Sequence, residues 1–144
     1  MQVPEINYWA VILATVSTLV IGSVWYAPKV FGERWMRLAR VTRTGRASEA
    51  IVPIVLSVLV GFVTAWVLAG AIAIGWNFYG GGWFWNAIVT AVVLWAGLTA
   101  ARFITHDAFE GRPSSLTVLT IGHELVVFLV MAVIIGVWPP AGTV

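Results

Sequence analysis

The side chains able to do chemistry gather in one stretch of this chain: Arg102, His106, Asp107, Glu110 and Arg112, answered by His123 and Glu124. Arg102, His106 and Glu110 are spaced i, i+4 and i+8, which puts them on one face of a helix with Asp107 on the flank. Three kinds of chemistry suit this set. Arg102 and Glu124 can form an interhelical ion pair, because buried charges are usually paired. Glutamate and histidine inside a membrane can bind and relay protons. His106, Glu110, His123 and Glu124 can also ligate a metal, although their spacing matches no strong metal motif, so a metal is left open. The adjacent His123-Glu124 is not a zincin motif, since the second histidine is missing. Gly80-Gly81-Gly82 reads as a tight turn, and no serine stands beside an obvious base, so no catalytic residue and no cofactor are assigned.

The elements that must hold these residues lie in lipid. Of the 144 residues, 60% are hydrophobic and 10% charged, and the mean hydropathy is +0.95. A soluble domain carries about 25% charged residues. A soluble chain this small could not hide so much apolar surface. The absence of cysteine excludes disulfides, thiolate metal sites and a cysteine nucleophile. The net charge of +2 gives no reason to expect nucleic acid as a partner. The first residues, Met1 to Glu5, lack a basic region, so no cleavable signal is expected.

A membrane helix needs about 20 apolar residues. Four runs qualify: about 7–27, ending at Pro28; about 50–75, with Ser48 as N-cap and Pro53 in the first turns; about 83–105, continuing as helix toward Glu110; and about 115–138, before Pro139-Pro140. The expected fold is all-α, a single membrane domain of four transmembrane helices spanning residues 1–144. Lys29, Arg34, Arg37, Arg40, Arg43 and Arg46 fill the 28–48 loop, and Arg102 and Arg112 border the 102–113 region, whereas the 76–82 loop and the C-terminal tail are uncharged. Basic loops stay cytoplasmic, so both termini are expected on the extracytoplasmic side of a bacterial inner membrane. Tyr8, Trp9, Trp76, Phe78, Tyr79, Trp83, Trp85 and Trp138 are expected at the outer interface, and Trp25, Tyr26 and Trp35 at the inner one. Trp66 and Trp95 fall near mid-span, where an indole N–H wants an acceptor, so they are candidates to line a cavity.

Phe31, Trp35 and Leu38 share a helical face, with Arg34 and Arg37 off it, so the 28–48 loop is expected to lie at the interface with its arginines toward anionic headgroups. Small residues recur every fourth position: Ala10, Ala14, Thr18 and Gly22 in the first span, and Ser57, Gly61, Ala65, Ala69 and Ala73 in the second. Such faces serve close packing inside a bundle, and the length of the second one also suits self-association. His123 and Glu124 should lie about 12–15 Å inside the fourth span. Arg102, Ser17, Thr18, Ser57 and Gly61 are expected in the same layer.

The run Gly22-Ser23-Val24-Trp25-Tyr26-Ala27-Pro28-Lys29-Val30-Phe31-Gly32-Glu33-Arg34-Trp35 resembles the small bacterial membrane proteins of domain-of-unknown-function family 1761, in which a Gly-x-x-Trp-Tyr-Ser-Pro-x-x-Phe-Gly-x-x-Trp signature closes the first helix. Ala27 replaces the usual serine. Phe109-Glu110-Gly111-Arg112-Pro113, Ile121-Gly122-His123 and Gly136-Val137-Trp138 resemble the later blocks, with His123 where an aromatic residue is expected. The resemblance implies a four-helix membrane fold and no established activity. Read physically, Trp25, Tyr26, Pro28, Phe31, Gly32 and Trp35 terminate a helix and anchor it at the interface, and Arg112 and Pro113 belong to a turn.

Three functions fit these observations. The first is an oligomeric transport or permeation protein passing a proton, ion or small solute through a layer of Arg102, His123 and Glu124. The second is a non-catalytic accessory subunit of a larger membrane complex. The third, on architecture alone, is a membrane enzyme acting on a lipophilic substrate.

Overall fold

The computed structural model describes residues 5–42 and 48–143, so Arg43 and Arg46 of the basic loop lie outside the described residues. The first helix, α1 (Tyr8–Trp25), is capped by Asn7, whose side-chain oxygen accepts from the backbone N–H groups of Trp9 and Ala10. A π-helical turn (Pro28–Gly32) leads into the short α2 (Glu33–Ala39). The second span is α3 (Ser48–Tyr79), longer at both ends than the apolar pattern suggests and already helical at Ser48. The third is α4 (Trp83–Leu94), a π-helical stretch (Trp95–Ala100) and α5 (Ala101–Phe109) in succession. The fourth is α6 (Ser114–Val137). Four helices are thus long and apolar enough to cross a membrane.

The spans form a ring in which α1 packs on α3 and α6, and α4 packs on α3 and α6, leaving α3 diagonally opposite α6. The side chain of Asn7 donates to the Trp138 carbonyl at 3.2 Å, so the start of α1 and the end of α6 lie at one end of the bundle. The basic segments lie at the other.

The small-residue stripes are consumed inside this ring. Ala10, Ala14, Ala65, Ala69 and Ala73 are buried, as are Ala87 and Ala91 of α4. A Cβ on Gly61 would stand 2.9 Å from Thr18 Oγ1, and one on Gly136 would stand 3.0 Å from Phe84 Cδ2. Glycine at these two points lets the backbones approach closely enough for dispersion contacts to hold them, since lipid supplies no hydrophobic drive between helices. The α3 stripe therefore serves mainly intramolecular packing. Ser57 alone stays exposed, bonded to its own helix at the Pro53 carbonyl.

Packing is uneven along the bundle. Every residue of α3 from Ser48 to Val60 is exposed, and burial begins at Gly61. The helix pair α3 and α4 is in contact, but α3 touches neither the π-helical stretch nor α5. The two spans thus part where the third one widens into π-helical winding, a recognised place for a helix to change course. Trp95 anchors that widened stretch to the opposite neighbour: its indole N–H donates to the Ile121 carbonyl of α6 at 2.9 Å.

The turn after α1 depends on glycine. Gly32 N–H reaches back to the Ala27 carbonyl at 3.0 Å, five residues away. A Cβ on Gly32 would collide with the Tyr26 carbonyl oxygen and lie 2.9 Å from the Ala27 carbonyl group. Backbone cannot yield as a flexible side chain can. Gly32→Ala should therefore cost about 2 kcal/mol or more, whereas Gly97→Ala, with open space around it, should stay within about 0.5 kcal/mol. Thermal unfolding in detergent, followed by circular dichroism, compares the two. Equal shifts in Tm would contradict the close contact.

Candidate functional site

The polar residues divide into two groups. Arg102, His106 and Glu110 do share a face of α5, as their spacing requires, but that face points outward: all three are exposed. Asp107, expected on the flank, is the residue of α5 that turns inward, and it is buried. Among the described residues Arg102 has no ion pair, so the expected Arg102–Glu124 pair does not form. Arg102 instead lines an open concavity with His106, Asp107, Glu110 and Arg112 beside the turn into α6.

Asp107 organises the turn into α6. Its carboxylate accepts from Thr117 Oγ1 at 2.7 Å and lies 3.8 Å from Arg112 Nε, and its carbonyl accepts from the Arg112 backbone N–H at 2.9 Å. Arg112 Nε also donates to Glu110 at 2.6 Å, while Glu110 lies 3.5 Å from His106 Nδ1. Gly111 makes the reversal with φ of 65°, a conformation that glycine adopts without strain. Glu110, Arg112 and His106 are therefore parts of a structural turn.

The second group surrounds His123 and Glu124. His123 Nδ1 lies 3.2 Å from Glu124 Oε1. The imidazole is held between two rings from the end of the first span: Trp25, edge-on at 5.7 Å, and Tyr26 at 5.2 Å. Trp25 in turn stacks on Phe31 at 4.5 Å, and Tyr26 on Trp35 of α2 at 5.3 Å. Gly122 lets the Trp25 ring lie against α6, and Gly22 leaves space facing His123 Nε2. The Tyr26 phenol is within electrostatic reach of the Glu124 carboxylate. The inner aromatic residues are thus not a free interfacial belt; the π-turn folds them back as a roof over His123. Among the described residues two buried polar atoms there have no hydrogen-bond partner: His123 Nε2 and Trp25 Nε1. Buried polar groups are almost always bonded, so unbonded ones mark a place where a small polar species can be accepted.

Glu124 occupies an unusual position. Thr117, Phe128, Met131 and Ile135 recur with it on one stripe of α6, and these four are buried. The Glu124 side chain nevertheless keeps 31% of its surface. The centre of that stripe points toward α3, and the first half of α3 has withdrawn from the bundle.

This arrangement spans the segments that carry the resemblance noted above. A family model described as "Protein of unknown function (DUF1761)" matches residues 9–136. The chain belongs to that family. No curated protein and no solved structure matches it. In this DUF1761 chain the roof residues Trp25, Tyr26, Phe31, Gly32 and Trp35 form one contiguous structure with His123.

Among the described residues no group of three or more His, Asp or Glu side chains is placed to hold a metal ion. Trp95 has an acceptor for its indole N–H, and Trp66 is 45% exposed. Trp83, expected at the interface, is instead buried, its indole bonded to the Ile135 carbonyl at 3.0 Å. Asp107 is the residue that spacing alone misplaced. Its distance of ten residues from Thr117 across a Gly-Arg-Pro turn was the available signal.

Arg102→Gln should change stability by no more than about 0.5 kcal/mol, as at other exposed positions. Thr117→Val, which strips a buried carboxylate of its donor, should cost about 1–3 kcal/mol. Denaturation in mixed micelles measures both, and a loss at Arg102 above that at Thr117 would restore an interhelical pair.

Proposed function

We propose that the protein binds and passes a proton, or a small cation or solute moving with one, at the Glu124–His123 pair. The observation that carries this reading is a partly exposed carboxylate beside His123 on an otherwise buried stripe. An isolated charge at mid-membrane costs about 2.5–3.5 kcal/mol on insertion scales. Glu124 reduces that cost by lying beside His123, by taking a proton, or by holding a cation. A site with these choices is a proton-coupled site. Arg102 has no part in it.

By the positive-inside rule the basic end faces the cytoplasm of a bacterial inner membrane and both termini face outward. Glu124 is then reached from the cytoplasmic half. The outer half is sealed by side chains with no exposure, among them Val11, Ala65, Ile72, Ala87 and Met131. One chain offers access from one side only. Passage across the membrane therefore needs a second conformation or a second copy, which makes an oligomer part of the proposal.

The accessory-subunit reading has one supporting observation, the uncovered first half of α3. It predicts that a distinct membrane protein co-purifies with the chain, and a clean homo-oligomer in mild detergent would count against it.

Glu124→Gln keeps the shape and removes the titrating group. Reconstituted in liposomes with an internal pH dye, it should fold normally and lose proton-coupled flux, while the unaltered chain conducts. Unchanged flux in a folded Glu124→Gln protein would remove the transport reading.

A further inference from the structure

At the basic end a groove of about 490 Å³ runs between the end of α2 and the start of α6. That size falls in the range of small-molecule sites, about 300–1,000 Å³. Its apolar lining comes from Trp35, Leu38, Pro113 and Leu116, and its charged lining from Arg40 and Arg112. Among the described residues no carboxylate lines it, and Glu110 and Asp107 meet Arg112 through its Nε.

The two arginines are presented in different ways. Arg40 caps α2 in the left-handed conformation, with φ of 55°, the only described non-glycine residue at positive φ. Long side chains seldom adopt it. Here the turn is held by backbone bonds from the N–H groups of Arg40 and Val41 to the Met36 carbonyl. Among the described residues Arg40 has no ion pair. Arg112 gives its Nε–H to Glu110, and its terminal amino groups carry no hydrogen bond among the described residues. Two guanidinium groups over an apolar floor suit an anion attached to an apolar body, and guanidinium matches phosphate oxygens in a planar, bidentate way. A free phosphate would leave the apolar floor unused. The groove also lies where the first, third and fourth spans end, at headgroup level.

We infer that this groove binds the phosphodiester headgroup of an anionic phospholipid from the adjoining leaflet, with Arg40 and Arg112 on the phosphate and Leu38 and Leu116 against the glycerol and upper acyl chain. The site is separate from Glu124 and does not depend on its role.

The test uses the full chain in nanodiscs of phosphatidylcholine containing a trace of fluorescent phosphatidylglycerol, with energy transfer from the protein's tryptophans as the readout. Arg40→Asn removes the charge and keeps the left-handed turn, which asparagine tolerates. It should weaken phosphatidylglycerol enrichment about tenfold, as expected for one charge-assisted contact. Arg112→Lys should weaken it less, and Arg34→Gln, which is exposed and outside the groove, by less than about twofold. Circular dichroism confirms that each variant is folded. If Arg40→Asn and Arg34→Gln act alike, the attraction is diffuse and the site is refuted. If millimolar inorganic phosphate or glycerol phosphate displaces the lipid fully, the groove takes a free anion and the lipid assignment is overturned.

Discussion

A polar group in hydrocarbon has no water to turn to, and this constraint shapes the whole bundle. Most of its consequences fall on α6. That helix accepts the indole of Trp95 at Ile121 and the indole of Trp83 at Ile135. It supplies the hydroxyl that satisfies Asp107 and carries His123 beside Glu124. Each of these contacts ties α6 to the third span or completes a polar pair within the membrane. Remove α6 and the third span loses the acceptors of its Trp83 and Trp95 indoles and the donor to its buried carboxylate.

The second organising feature is the hook after α1. Pro28 cannot continue the helix, and Gly32 allows the chain to close so tightly that no side chain fits. The hook returns Phe31 and Trp35 onto Trp25 and Tyr26, and these rings cover His123. A segment that serves as a helix terminator in sequence thus becomes one wall of a buried polar site. The same hook directs α2 toward the start of α6, which creates the basic groove. One turn therefore positions two distinct features, the rings over His123 and the groove beside α2.

The bundle is firm at the end holding its termini and loose at the other. Alanine and glycine pack α1, α3, α4 and α6 closely in the first region. Beyond Gly61 and the π-helical stretch, α3 and α5 have no contact with each other. Glu124 lies on α6 between buried Thr117 and buried Phe128 and is itself only partly covered.

Composition and hydrophobic run length determine class and number of spans, because lipid imposes a length and an apolar requirement on every helix independently of its neighbours. Asn7, Pro28, Gly111-Arg112-Pro113 and Pro139 mark helix ends by local chemistry alone. The direction in which a polar face points follows from neither. Arg102, His106 and Glu110 share a face by spacing, but whether it faces a neighbour or lipid depends on how the third span is rotated in the bundle. Six residues of π-helical winding alter that rotation, and nothing in the local pattern announces them. The fold alone decides that Asp107 is inward, that Arg102 is not Glu124's partner, and that aromatic residues of the first span cover His123. Those relations join segments up to about a hundred residues apart, and they exist only once the helices have packed.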